Sequence, residues 1–331
     1  MRAEHLRRGD IVEVRNAAEI LATLDEQGSL EALPFMPEMV GYCGRRFSVD
    51  RRTEKVCDTI KEPRSRRMTD CVFLDDVRCD GSGHDGCQAE CRFYWKEAWL
   101  KRVAPTDPAA ETSGDHEARH ALLELVTGGS RTRTREGEVR YLCQATEMLS
   151  ASQPLSLTDP RPYLREYTSG NVSIRTFSRV MTRVTVTEVR RKLGRLPAIP
   201  VHGKSTKSPE TQRLDLQPGE WVRVKSRDQI RETLTDKGMN RGLWFDVEML
   251  PYCGKTFRVR RRIERFVNDR DGTMIELPND CVTLEGVVCS GELSPQRWFC
   301  SRAIYSYWRE CWLERVRAER VRADHSSVSM S

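Results

Sequence analysis

The chain has no run approaching eighteen consecutive apolar residues, so no segment reads as a membrane-spanning helix. Its opening residues, MRAEHLRRGDIVEV, lack the apolar stretch of a secretory signal. There is no Gly-rich phosphate loop, no GxSxG elbow and no HExxH helix, so the usual marks of nucleotide hydrolases, serine esterases and zinc peptidases are missing. Histidine is scarce, at six, and none has an evident nucleophile beside it. Neither charge dominates: 55 basic residues against 49 acidic ones leave a net charge of +6, which permits an anionic partner without requiring one. Hydrophobic content of 38% is low, so much of the chain is expected to be solvated surface or loop. The expected location is cytoplasmic.

Cysteine, by contrast, is plentiful. Twelve thiols in a reducing compartment read as metal ligands or redox groups before they read as disulfides. Their placement follows an internal repeat. GDIVEVRNAAEILATLDEQG begins at Gly9 and GEWVRVKSRDQIRETLTDKG at Gly219, an offset of 210 residues. LPFMPEMVGYCGRRFSV matches LWFDVEMLPYCGKTFRV, and CVFLDDVRC matches CVTLEGVVC. After three extra residues in the second copy, CQAECRFYWKEAWLKRV matches CSRAIYSYWRECWLERV. Cys43, Cys71, Cys79 and Cys87 thereby pair with Cys253, Cys281, Cys289 and Cys300. Cys57 and Cys91 break the match, facing Val267 and Ile304, and His84 has no counterpart.

The spacing predicts an α+β chain: two duplicated, small, Cys-rich β-barrel-like units of the Src-homology-3 (SH3) kind, joined by a helical connector. The expected boundaries are a first repeat over 1–104, a linker over 105–118 and a helical connector over 119–195. A flexible linker over 196–214, a second repeat over 215–317 and a disordered tail over 318–331 follow. In the connector, Ile174, Phe177, Met181 and Val184 fall on one helical face, and Asp159–Pro160 suggests a helix start.

A quartet of thiolates suits a structural zinc ion or an iron–sulfur cluster. In the first copy the expected ligands are Cys57, Cys79, Cys87 and Cys91, with His84 as substitute or supporting ligand. Helix after Gly86 would set Cys87 and Cys91 one turn apart. Cys43 and Cys71 would then be core, as would Cys143. In the second copy the candidates are Cys253, Cys281, Cys289 and Cys300. There is no CxxC knuckle, so spacing does not choose between metals. Trp95 and Trp99, like Trp308 and Trp312, are expected in the core. Glu38 and Glu248 are expected to cap loops. The arginine-rich stretch RVRRRIERF (258–266) is the feature that would serve nucleic-acid binding, the main alternative function. A redox enzyme with a site between the repeats is the other.

The paired signatures, YCG…CDT…RCDGSGHDGCQAEC…WKEAWL and GLWFDVEMLPYCG…NDC…CSG…YWRECWL, with YLCQAT and SGNVS in the connector, resemble an uncharacterised family of bacterial Cys-rich two-repeat proteins. The resemblance covers most of the chain. It implies an accessory role, with a protein partner, beside a biosynthetic pathway.

Overall fold

The computed structural model describes residues 5–61, 64–104, 116–156, 159–195, 201–209, 213–278, 280–295 and 297–317. The chain divides into two compact units. The first comprises Met1–Thr182 with Arg265–Ile275 and Pro295–Arg302, and the second comprises Arg183–Glu264, Glu276–Ser294 and Ala303–Ser331. The first unit therefore borrows two segments from the C-terminal half of the chain.

The first unit is built on β1 (Ile11–Val14), β2 (Arg46–Arg52), β3 (Cys71–Leu74), β4 (Trp95–Lys96) and β5 (Leu100–Arg102). They form one antiparallel sheet in the order β4-β3-β2-β1-β5. Ile11 pairs with Ser48, Val12 with Arg102, and a bulge lies between Val49 and Arg51. In the second unit, β6 (Trp221–Val224), β7 (Thr256–Arg262), β8 (Cys281–Leu284), β9 (Trp308–Arg309) and β10 (Leu313–Arg315) take the order β9-β8-β7-β6-β10. Trp221 pairs with Arg258, Val222 with Arg315, and a bulge lies between Val259 and Arg261.

The two cores repeat one solution. Trp99 meets the Phe35 ring edge-on at 5.1 Å and donates its indole N–H to Thr23 Oγ1 at 3.1 Å. Trp312 meets Phe245 at 5.2 Å and donates to Thr233 Oγ1 at 3.0 Å. All four paired tryptophans are buried, as expected of core residues. Each sheet's first strand leads into a short helix opened by a capping box, α1 (Ala17–Leu21) behind Asn16 in the first unit. Each unit also places a glutamate before its last strand, half-buried in the first and buried in the second. Glu97 pairs with Arg52, and Glu310 accepts the N–H groups of Leu214, Asp215 and Leu216 and pairs with Arg262.

The architecture is mixed α and β, with several small sheets. It departs from the sequence expectations in four respects. No closed barrel forms among the described residues: β4 and β5 end the first sheet as edges. Residues 87–91 are not helical; Glu90 takes a φ of 48°, outside the helical range, and Arg78 bridges Arg92 as the chain doubles back. The connector is not wholly helical. It carries α2 (His116–Gly129), a hairpin of Arg131–Arg133 with Val139–Tyr141, a two-residue strand Gln153–Pro154 on Ser65–Arg67, then α3 (Arg161–Thr168) and α4 (Ile174–Lys192). On α4 it is Val180 that is buried, while Ile174 is 55% exposed. The Asp159–Pro160 start is present, with α3 following at Arg161. Within 196–214, Val201 is buried in the second core and Gly203 packs under Leu234, where an added Cβ would meet the carbonyl oxygen at 1.8 Å. The expected 318–331 tail and most of the 105–118 linker lie outside the described residues.

Candidate metal centre

The thiols of the first repeat fall in two adjoining places, joined where the Cys79 N–H bonds to the Cys91 carbonyl. Cys79 and His84 belong to one, beside Glu38 in the short helical turn Pro37–Tyr42. Glu38 Oε1 accepts the Gly83 N–H at 3.0 Å and the Cys79 thiol at 3.4 Å, and lies 3.3 Å from His84 Nδ1. One ligand atom from each of Glu38, Cys79 and His84 lies within 4.8 Å of the others. Burial, reinforced by Glu38, pushes the Cys79 thiol far up. Burial would also raise Glu38, but His84 and the Gly83 N–H outweigh it and hold the carboxyl below its ordinary range.

The other place gathers Cys57, Cys91 and Cys300 around the buried guanidinium of Arg302. Cys57 lies in the short strand Val56–Cys57, and Cys300 arrives on the borrowed segment Pro295–Arg302. That segment is held by Phe299, which stacks on Phe177 at 5.9 Å and meets Tyr163 edge-on, and by the Ser301 N–H bonded to the Lys55 carbonyl. The Cys57 N–H points at Cys300 Sγ over 3.1 Å, and Arg302 donates to the Cys57 carbonyl and to Thr59 Oγ1, each at 3.0 Å. A hydrogen bond with Cys300 pulls the Cys57 thiol below its ordinary range; burial opposes this, and Arg302 and Arg297 reinforce it. Burial lowers Arg302, but Tyr94, Cys57, Cys91 and Cys300 together hold its proton more firmly than usual. Cys91 is pushed up by burial and lies within electrostatic reach of Arg302 and Cys87. Cys87 Sγ accepts the Val267 N–H at 3.4 Å, on the other borrowed segment, in a small cluster with Tyr141 and Val267. The Tyr94 hydroxyl, within reach of the same thiols, is buried without a hydrogen-bond partner.

Of the expected first-repeat set, then, Cys57 meets Cys300 from the other repeat, Cys91 lies within electrostatic reach of Arg302 and of Cys87, and Cys79, bonded through its backbone to Cys91, sits with His84 and Glu38. Cys43 and Cys71 are buried in the first core, and Cys143 packs against it, its thiol raised to about 12 by burial. The remaining second-repeat candidates have separate surroundings. Cys253 packs on the second core, Cys281 in β8 is raised to about 12 by burial, and the Cys289 N–H bonds to Ile304. None of these three belongs to a close group of three or more ligands among the described residues.

Glu38 was expected to cap a loop, and Glu248 does so fully. It accepts the N–H groups of Ser290, Leu293 and Ser294 and the Ser290 hydroxyl. What sequence reasoning missed is that Glu38 meets a thiol and an imidazole where Glu248 meets serines. The unmatched His84 was the available signal. A third group, His5, Asp70 and Glu97, opens to solvent, and its Glu97 is already engaged by Arg52.

The arginines of 258–266 are engaged within the chain. Arg262 pairs with Glu310 and Asp280, Arg258 lies over Trp221, Arg260 lies over Tyr305, and Arg265 donates to the Asp85 carbonyl. Among the described residues no helix is long and apolar enough to cross a membrane. No family model matches the chain, and no curated protein matches it.

Proposed function

We propose that this is a metal-binding protein whose metal, an iron–sulfur cluster or zinc, is held by Cys57, Cys87, Cys91 and Cys300. The observation that carries this reading is the arrival of Cys300 at Cys57 from 243 residues away, beside a buried arginine and within reach of Cys91. Ordinary packing of small apolar side chains gives no reason to bury a guanidinium among thiols. A thiolate-bound metal carries net negative charge, which a buried cation offsets. Backbone N–H groups aimed at Cys300 and Cys87 are the bonds that stabilise ligand thiolates and tune cluster potentials. The unpartnered Tyr94 hydroxyl is a donor available to such a group.

A single zinc ion would require these thiols to draw together. One zinc ion, with bonds of about 2.3 Å, draws its four sulfurs to about 3.8 Å of one another. These four sulfurs are not among the ligand groups that close within 4.8 Å. A cluster would make electron transfer the role, and zinc would make the protein a structural interaction module. The first reading survives if anaerobically purified protein is brown and contains iron and sulfide that Cys300→Ser abolishes. Colourless protein with zinc lost on the same substitution selects the second. Protein without either metal refutes both.

The same strand order in both sheets, with a short helical turn before each last strand, supports reading the two as duplicated SH3-like units opened at one seam. Nucleic-acid binding is less well supported, because the arginines it would use already have partners.

A further inference from the structure

We propose that Glu38, Cys79 and His84 form a second metal site, distinct in its ligands from the adjoining thiol centre, that takes a single zinc-like divalent ion with a non-protein fourth ligand. The argument begins with ligand chemistry. Thiolate, imidazole and carboxylate are the three donor types that zinc accepts, and three protein ligands with a fourth position free is the arrangement of reactive rather than purely structural zinc. Bonds of about 2.0–2.3 Å in a tetrahedron place ligand atoms about 3.3–3.8 Å apart. Glu38 Oε1 stands 3.3 Å from His84 Nδ1 and 3.4 Å from Cys79 Sγ.

Burial supplies the second argument. The side chains of His84 and Glu38 are only 3% and 4% exposed, yet Glu38 Oε2 and His84 Nε2 have no hydrogen-bond partner. Leaving such groups bare is costly inside a protein. The second repeat shows what the same cradle looks like when it serves only to hold a loop. There both oxygens of Glu248 are filled, by the N–H groups of Ser290, Leu293 and Ser294 and the Ser290 hydroxyl. In the first repeat, Asp80 stands at the position of Ser290, and because Gly83 meets Glu38 Oε1 as Leu293 meets Glu248 Oε1, His84, unmatched in the sequence repeat, follows where Ser294 does. The exchange removes the Ser290 hydroxyl donor and brings in an imidazole. Only the Gly83 N–H remains of the loop contacts, and it orients Glu38 Oε1. On binding, the Cys79 thiol releases its proton to water. The dication is then balanced by one thiolate and one carboxylate, so the buried site is neutral.

Cobalt(II) is the probe, because a thiolate-bound tetrahedral cobalt gives a near-ultraviolet charge-transfer band and visible d–d bands. The full-length protein, dialysed against chelator, is titrated with cobalt and compared with His84→Ser, Glu38→Gln and Cys57→Ser. His84→Ser restores the residue type found at Ser294, so the loop retains a known way to close. The expected result is one equivalent of cobalt lost in both His84→Ser and Glu38→Gln, with unchanged circular dichroism, and this equivalent retained in Cys57→Ser. Cobalt bound in equal amount by wild type and His84→Ser would overturn the proposal, as would wild type that binds none outside the thiol centre. Loss of metal in Cys57→Ser alone supports the thiol centre and sinks this site, so the two failures are distinguishable.

Discussion

At the scale of single residues, two amides explain why YLCQAT and SGNVS stand out in the connector. Gln144 accepts the Tyr94 N–H and donates to the carbonyls of Tyr94 and Pro34. Asn171 accepts the Arg52 N–H at 2.8 Å and donates to the Arg52 carbonyl at 3.0 Å. Each side chain thus takes the place of a neighbouring strand. Asn171 also donates to Glu166, a buried glutamate raised by burial from 4.5 to about 8. Between those values the folded protein keeps a proton that the unfolded chain releases. The stabilisation is therefore complete below about pH 4.5 and is lost as pH rises through 8. The melting temperature is expected to fall over this range, and Glu166→Gln, which cannot ionise, should flatten the slope. Equal slopes for the two proteins in differential scanning calorimetry would show that Glu166 is ionised throughout.

At the scale of elements, alternation and turn residues made the strands legible, and helical spacing in AAEILATLDEQG, stopping at Gly28, marked the region of α1. The tryptophans read as core because they recur four apart in apolar surroundings, and Phe35 and Phe245 close on them. The thiol centre was only half legible. The repeat aligned Cys87 with Cys300, which suggested two matched quartets. Instead the unmatched thiols, Cys57 and Cys91, mark where the first unit departs from its twin. Helix was expected across 87–91 on spacing alone, but Gly86 at a φ of 79° and Glu90 at 48° turn the chain back on itself. Docking of α3 and α4 follows from Asn171, which no hydrophobic pattern announces. Asn171→Ala leaves the Arg52 N–H and Glu166 without their partner, at an expected cost of about 1–3 kcal/mol. Urea unfolding should show a lower midpoint with little change in slope, whereas an unchanged midpoint would mean that the connector is held elsewhere.

At the scale of the whole molecule, the first unit is discontinuous in sequence. Arg265–Ile275 supplies Val267 to Cys87, and Pro295–Arg302 supplies Cys300 and Arg302. Residues 1–182 alone would lack Val267 from the cluster with Cys87 and Tyr141, and Arg297, Cys300 and Arg302 from the surroundings of Cys57. Such a fragment is expected to melt below the full chain and to bind no metal at the thiol centre. A fragment that binds metal at Cys57 with full-length stoichiometry would place the ligands entirely within the N-terminal half.

Cys300's position also sets a schedule. A ribosome adding about 5–20 residues per second needs roughly 12–50 s to travel from Cys57 to Cys300. Throughout that interval the nascent first unit carries bare thiols and an unfilled place for Arg302. Metal delivered early would meet an incomplete set of ligands. Loading of the proposed centre would thus be bound to the end of synthesis, and any chain cut short before residue 300 would leave the ribosome without Cys300.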